Sequence, residues 1–309
     1  MNTRMRKGFT LAELLISMTI ALVVITGATS FSTNSWKTRR GWTVREGVDR
    51  GARFVGLSLA RDLQEAGISI ESTPTFASLG TFGDTISVLS VPYEPTEAPV
   101  YSIYNDGDTL PTYPPGGNCG ATCIEFLIPS GTLGLSAGNL ALLQEGSTRR
   151  LLLLQSVTNQ GNGRFQVQFL NTTSLLGRPS GLDSMLLSRS GSTIQKLNAI
   201  VYWRDVSAKK LYRATSLSSA GIPIGQVMAT NVENFEASLL FINNAEFASY
   251  DGMDSDTLND GNDIIGAKVR AELKADRSDP AVNGGQPMLR WYEWKVAPRN
   301  LMYEKNRTN

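Results

Sequence analysis

Between Phe9 and Phe31 the chain reads FTLAELLISMTIALVVITGATSF, 23 residues whose only formal charge is Glu13. As a helix rising 1.5 Å per residue, such a run extends roughly 35 Å, enough to cross the hydrocarbon core of a bilayer. Ahead of it, MNTRMRKG supplies Arg4, Arg6 and Lys7 and no acidic residue. Basic flanks stay cytoplasmic, so the rest of the chain is expected on the far side of the membrane. A secretory signal peptide, cut near the small residues Thr26–Ala28, is the alternative, but its apolar core runs to only about 7–15 residues. A plain anchor explains the hydropathy and leaves Glu13 unexplained, because a carboxylate in hydrocarbon costs a few kcal/mol.

The helical pattern continues past the apolar run. No proline occurs before Pro74, and Val44, Val48, Ala52, Val55, Leu59, Leu63 and Ala66 recur at steps of three and four. That is the spacing of one buried helical stripe. Gly67 follows as a C-cap. The expectation is a long helix over residues 9–67, membrane-spanning over about 9–31 and amphipathic beyond. Gly27, Gly41, Gly47, Gly51 and Gly56 each weaken it by up to about 1 kcal/mol. A break between Gly27 and Gly41, giving two helices, is the alternative.

The remainder, residues 68–309, reads as a β-rich globular head. Strands are predicted at Ile86–Val91, Cys123–Ile128, Arg150–Val157, Arg164–Leu170, Ile194–Trp203, Lys210–Ala214, Ala237–Ile242, Ala267–Lys274 and Met288–Val296. Phe165, Val167 and Phe169 alternate on one face, as do Val269, Ala271 and Leu273. Turn-rich clusters such as Asn159–Gly163 separate these runs, and residues 74–118, rich in Pro, Gly and Thr, read as a long loop or insertion. The fold class is therefore α+β: a long N-terminal helix packed on a C-terminal antiparallel sheet.

The composition excludes several chemistries. The 309 residues contain no histidine, which removes Ser-His-Asp, Cys-His and His-zinc sites. No other catalytic constellation stands out, so the chain is not expected to be an enzyme. Residues 1–67 hold ten basic and five acidic side chains of the chain's 29 and 28, which leaves the head with 19 and 23, a net −4. A mildly acidic head is poor material for gripping phosphates, so no nucleic-acid partner is expected from charge.

The segment KGFTLAELL, residues 7–15, resembles the class III signal of type IV prepilins: a short basic leader ending in Gly8, then Phe9, Thr10, Leu11, one variable residue, and Glu13 as the fifth mature residue. The resemblance implies a leader of residues 1–8, cleavage between Gly8 and Phe9 by a prepilin peptidase, and N-methylation of Phe9. It also implies that Glu13 neutralises that amine on an adjacent subunit, since a buried carboxylate needs a paired charge. Other pilin subunits, contacted through the N-terminal helix, and the inner membrane are then the partners. The chain would sit in that membrane as a prepilin, and later in a pilus or periplasmic pseudopilus. Within the superfamily, RFVGLSLARDLQEAGI (53–68) resembles the helix end of PilW-family minor pilins. VYWRDVSAKKLYR (201–213) is similar to a hairpin shared by that family and the J-class minor pseudopilins of type II secretion. Both matches are short, and an ordinary amphipathic helix and hairpin would read the same way.

Two local features complete the reading. Cys119 and Cys123, in CGATC, are expected to pair outside the cytoplasm, with free thiols as the alternative. The stretch 249–266 carries Asp251, Asp254, Asp256, Asp260 and Asp263 among Gly and Asn. Oxygen-rich loops of this kind suit calcium, although the spacing is not that of an EF-hand; a solvated acidic loop is the other reading, and no other cofactor is expected. The expected function is that of a structural minor pilin acting in assembly or priming of a type IV pilus. A J-class minor pseudopilin is the alternative, and a DNA-receptor or adhesin pilin, or a membrane-anchored enzyme, is an alternative of another class.

Overall fold

The structure is a computed structural model of the chain. It describes residues 10–92, 100–103, 109–110, 123–128, 134–171, 185–186, 191–251, 257–280 and 283–302. One helix, α1 (Leu11–Gln64), is followed by strands β1 (Leu79–Phe82), β2 (Thr85–Ser90), β3 (Val100–Ser102), β4 (Thr109–Leu110), β5 (Cys123–Leu127), β6 (Leu140–Glu145), β7 (Thr148–Gly161) and β8 (Arg164–Asn171). Then come β9 (Met185–Leu186), β10 (Thr193–Asp205), β11 (Lys210–Leu217), β12 (Pro223–Thr230), β13 (Val232–Phe241), β14 (Glu246–Phe247), β15 (Ile264–Lys274) and β16 (Leu289–Val296). The chain divides into two compact units, Met1–Arg50 with Lys274–Leu289, and Gly51–Leu273 with Arg290–Asn309. α1 contributes residues to both.

α1 is a single 54-residue helix with no break at Gly27–Gly41. Its apolar part holds hydroxyl residues, and they are satisfied within the helix. Ser17 and Thr19 donate to the carbonyls of Leu14 and Ile16 at 2.9 and 2.8 Å, and Thr26 and Thr29 donate to those of Leu22 and Ile25 at 2.7 and 2.8 Å. A hydroxyl bonded back to its own helix removes the cost of an unmet donor in an apolar medium. In the first unit, Arg40 lies 3.8 Å from Asp279, and the Ala275 amide donates to the Met288 carbonyl at 2.8 Å.

In the second unit the stripe Ala52, Val55, Leu59, Leu63 and Ala66 is buried to within 2%. The helix ends where its stripe ends, and Gly67 takes φ +76°, the left-handed value that favours glycine. A Cβ at Gly67 would also meet the Leu301 side chain at 2.9 Å. Asn300 reaches back to donate to the Ala66 carbonyl at 3.3 Å. Gly56 has a different reason: a Cβ there would lie 2.2 Å from the indole nitrogen of Trp294 on β16, so the ring lies directly against the helix backbone.

The larger sheet is built around β10. The larger, ten-stranded sheet runs β1-β2-β10-β6-β7-β8-β5, with β11, β12 and β3 attached through β10. β10 is long enough to take successive partners: Thr193–Leu197 pair with β6, Asn198–Trp203 with β2, and Val201–Asp205 with β11, all antiparallel. Both faces of this sheet are covered. On β6 and β7, Leu140, Leu142, Leu151 and Leu153 enter one apolar cluster with Ile70, Phe76 and Leu89. Their neighbours Ala141, Leu143, Leu152 and Leu154 enter another, with Phe126, Val167 and Phe169. A second sheet runs β14-β13-β15-β16, and β4 pairs with β9 alone.

The α+β expectation therefore holds, with three corrections. Among the described residues the strands form two main sheets, not one. Residues 74–118 are not simply loop, since β1, β3 and β4 fall within them; Thr73 and Phe76 bridge and turn the chain into β1. Among the described residues, seven strands lie outside the expected set. β6 escapes because LALLQE, buried on both faces, shows no period-2 alternation. β12 escapes because PIGQVMAT contains both Pro and Gly; Pro223 is tolerated at the first residue of a strand with one neighbour.

The two helical glycines Gly51 and Gly56 separate propensity from packing. A Cβ at Gly51 would meet nothing within 4 Å, so Gly51→Ala should stabilise the protein by about 0.5–1 kcal/mol. Gly56→Ala gains the same propensity but drives a methyl into Trp294, and should destabilise by about 1–3 kcal/mol. Denaturant unfolding of both variants, read as opposite signs, checks this.

Candidate functional site

Two sites on α1 carry the residues of interest, one at each end. At the N-terminal end, Thr10 is the N-cap and Glu13 the third helical residue, the arrangement of a capping box. The Thr10 amide and hydroxyl both donate to Glu13 Oε2 at 3.0 Å, and the Glu13 amide donates to Thr10 Oγ1 at 3.4 Å. The exchange satisfies donors that a helix start leaves open, and it leaves Glu13 Oε1 without a bond among the described residues. The carboxylate also lies at the positive end of the helix dipole. Thr-x-x-Glu is the local sequence signal of this exchange. Gly8 and Phe9 lie outside the described residues.

At the C-terminal end, Asp62 is fully buried. Its Oδ2 accepts from the Tyr202 hydroxyl on β10 and from Arg213 Nε on β11, each at 2.5 Å. Its Oδ1 accepts from Arg61 Nε and Nη2 at 3.3 Å. Tyr202 and Arg213 stand directly across neighbouring strands, since Tyr202 pairs with Arg213 in the β10–β11 register. Both side chains therefore share one face, the face turned to the helix. Burial, and then the bond to Asp62, push the Tyr202 phenol well above its ordinary range. The Asp62 bond likewise raises Arg213. The arrangement pins the helix to the sheet in one register and one rotation.

The rest of the β10–β11 hairpin has local reasons. Arg204 Nη1 pairs with Asp84 at 3.0 Å while its Nε donates to the Val232 carbonyl at 2.9 Å. Asp205 Oδ1 accepts from the Ala208 amide at 2.9 Å and the Ser207 hydroxyl at 2.6 Å, and Lys209 takes φ +51° to close the turn. Trp203 stacks on Tyr212 with centroids 5.2 Å apart. The two segments singled out in the sequence, 53–68 and 201–213, are thus bonded to each other through Asp62. In the sequence they stand together only by resemblance, and nothing there gives Asp62 a role.

The other expected site residues are partly in view. Cys123 opens β5, is buried, and is disulfide-bonded; Cys119 lies outside the described residues. Asp251 is exposed, whereas Asp260 and Asp263 are buried around a 3-10 turn, with the Asp263 amide donating to the Asp260 carbonyl at 3.0 Å and the Gly261 amide to the Pro74 carbonyl at 2.9 Å. Asp254 and Asp256 lie outside the described residues. Among the described residues no three His, Cys, Asp or Glu side chains gather as a metal site.

The Asp62 cluster sets an order of costs. Arg213→Met leaves a fully buried carboxylate short of its strongest cation, and should cost about 3–5 kcal/mol. Asp62→Asn leaves Arg213, 22% exposed, with access to water, and should cost less, about 1–3 kcal/mol. Tyr202 contributes stability that is complete below its unfolded pKa of about 10 and is lost as pH climbs above it towards the raised folded value. Tyr202→Phe should therefore be less stable than wild type at neutral pH and show a flatter alkaline limb between about pH 10 and 12. Urea unfolding across that range checks both orders.

Comparison with known proteins gives one family match. Residues 3–29 match the model described as the prokaryotic N-terminal methylation motif. No curated protein matches the chain. The matched segment contains Arg4, Arg6, Lys7, Gly8, Phe9, the Thr10–Glu13 cap and most of the apolar run, so the chain carries a prepilin-type N-terminal methylation motif and is type IV pilin-like over that segment.

Proposed function

We propose that the chain is a non-catalytic minor pilin, cut and N-methylated by a prepilin peptidase, that takes part in assembling or priming a type IV pilus. The observation that carries this reading is the methylation motif at residues 3–29 joined to one uninterrupted helix, Leu11–Gln64, with a β-rich head at its end. On this reading residues 1–8 are the leader, 9–67 the helix and 68–309 the head. The mature chain inserts in the inner membrane by its apolar half, with the head on the far side, and then passes to the filament. Helix packing against other pilins buries the side chains that are now exposed, among them Leu14, Val23 and Phe31.

Glu13 has a defined job in this scheme. In the single chain its Oε2 is taken up by the Thr10 cap, while Oε1 remains available. In the filament that free oxygen faces the new amine of Phe9 on a neighbour, so each subunit supplies one charge and neutralises another. The minor-pilin assignment draws on segments 53–68 and 201–213, whose Asp62, Tyr202 and Arg213 hold helix and head together. The same features suit a J-class pseudopilin, and the company the chain keeps in purified filaments separates the two. In the head, Cys123 is assigned Cys119 as its partner, closing a very small loop.

Intact-mass analysis of membrane-extracted protein should give a chain beginning at N-methyl-Phe9. A mature chain starting near Ser30, or one retaining Met1, would contradict the processing. Glu13→Val should insert at least as well as wild type, because a charge leaves hydrocarbon, yet should fall at least about tenfold in filament incorporation, the equivalent of losing roughly 1.4 kcal/mol or more of pairing. Immunoblots of sheared filaments against membranes read both quantities.

A further inference from the structure

We propose that residues 36–45 of α1 form a collar that binds anionic phospholipid headgroups of the leaflet on the head side of the membrane. The inference rests on the membrane-inserted reading above and concerns a segment that neither the motif nor the head accounts for. From Leu11 to Phe31 the helix advances about 30 Å, the thickness of a bilayer's hydrocarbon core. Trp36 follows Phe31 by five residues, about 7.5 Å further along the axis, which is the depth of the interfacial zone where tryptophan concentrates. Lys37, Arg39, Arg40, Trp42 and Arg45 come next.

The distribution around the helix decides what these residues face. At about 100° per residue, Trp36, Arg40, Lys37, Arg45, Trp42 and Arg39 follow one another around the helix at roughly 0°, 40°, 100°, 180°, 240° and 300°. Trp36 and Trp42 are 63% and 71% exposed. A neighbouring helix or protein would select one stripe. A ring of aromatic and basic side chains on every side suits an environment that surrounds the helix, and at this depth that environment is the headgroup layer.

The charge is of one sign. No acidic residue stands between Glu13 and Glu46, and Glu46 pairs with Arg50 at 2.9 Å. Among the described residues Lys37, Arg39 and Arg45 make no ion pair, and Arg40 has only the 3.8 Å approach to Asp279, with its own side chain 59% exposed. Basic clusters beside a membrane span attract anionic lipid in proportion to their charge. Loss of the leader would also remove Arg4, Arg6 and Lys7 from the other side. The mature subunit would then be gripped at the head-side leaflet alone, and that grip would have to be released when the helix leaves the bilayer for a filament.

The test uses the full chain reconstituted in phosphatidylcholine vesicles containing about one-third phosphatidylglycerol. Co-flotation and intact mass first establish that the uncut helix is inserted; a chain that does not insert would defeat the membrane reading itself. In an inserted chain, spin-labelled phosphatidylglycerol should be motionally restricted at least about threefold more than spin-labelled phosphatidylcholine. That preference should weaken in 0.5 M salt, where the screening length falls to a few ångströms. The quadruple variant Lys37→Gln, Arg39→Gln, Arg40→Gln, Arg45→Gln should insert equally and lose at least about half of the preference, the remainder belonging to Arg4, Arg6 and Lys7 of the uncut chain. Equal restriction of the two lipids by the wild-type chain, or an undiminished preference in the inserted variant, would overturn the collar.

Discussion

Within the unit Gly51–Leu273 the attachment of helix to sheet turns on one buried carboxylate. Asp62 is the single charged side chain of α1 with no exposure at all, and it lies on a helix face otherwise made of Ala52, Val55, Leu59 and Leu63. Apolar packing alone is tolerant of small slips and rotations. A carboxylate is not, because moving it one turn would leave it in a low-dielectric interior without a donor. The price of this specificity is met by a phenol, a guanidinium and the neighbouring Arg61, which together occupy both carboxylate oxygens. Gly56 adds a steric counterpart to the electrostatic one, since the Trp294 ring can approach only where the helix has no side chain.

The other end of the helix obeys a different logic. There the polar groups are few, and each is dealt with locally: Thr10 and Glu13 close the helix start, and the serines and threonines of the apolar run bond to carbonyls of the same helix. The two ends thus differ in kind, one suited to an apolar surrounding and the other to a fixed attachment.

How much of this is readable in advance follows from where the physical signal resides. The helix is legible because its apolar run and its three-four stripe are local patterns, and Gly67 stops it for a reason visible in one residue. The nine expected strands appear because their alternation or β-branched content is also local. β6 is hidden because a strand covered on both faces loses its alternation, and β12 because Pro and Gly outvote Ile224 and Val227. The Asp62 cluster cannot be read at all. Its members lie 140 and 151 positions apart in sequence, and nothing in the composition of either segment says that they meet. Thr10 and Glu13 are readable in principle, three residues apart, and are obscured by the stronger cleavage motif in which they sit.

The central place of β10 has a consequence for the order in which the molecule can be completed. This strand bonds to β2, β3, β6 and β11, so its partners come from both earlier and later parts of the chain. Until residue 205 has been supplied, β2 and β6 have no neighbour to join them; until residue 213 has been supplied, Asp62 has no Arg213. Any shorter piece holds a finished helix with an unsheltered apolar stripe and an acid whose only partner is the adjacent Arg61. The helix is the first element made, and its apolar face stays bare until the strands that cover it follow.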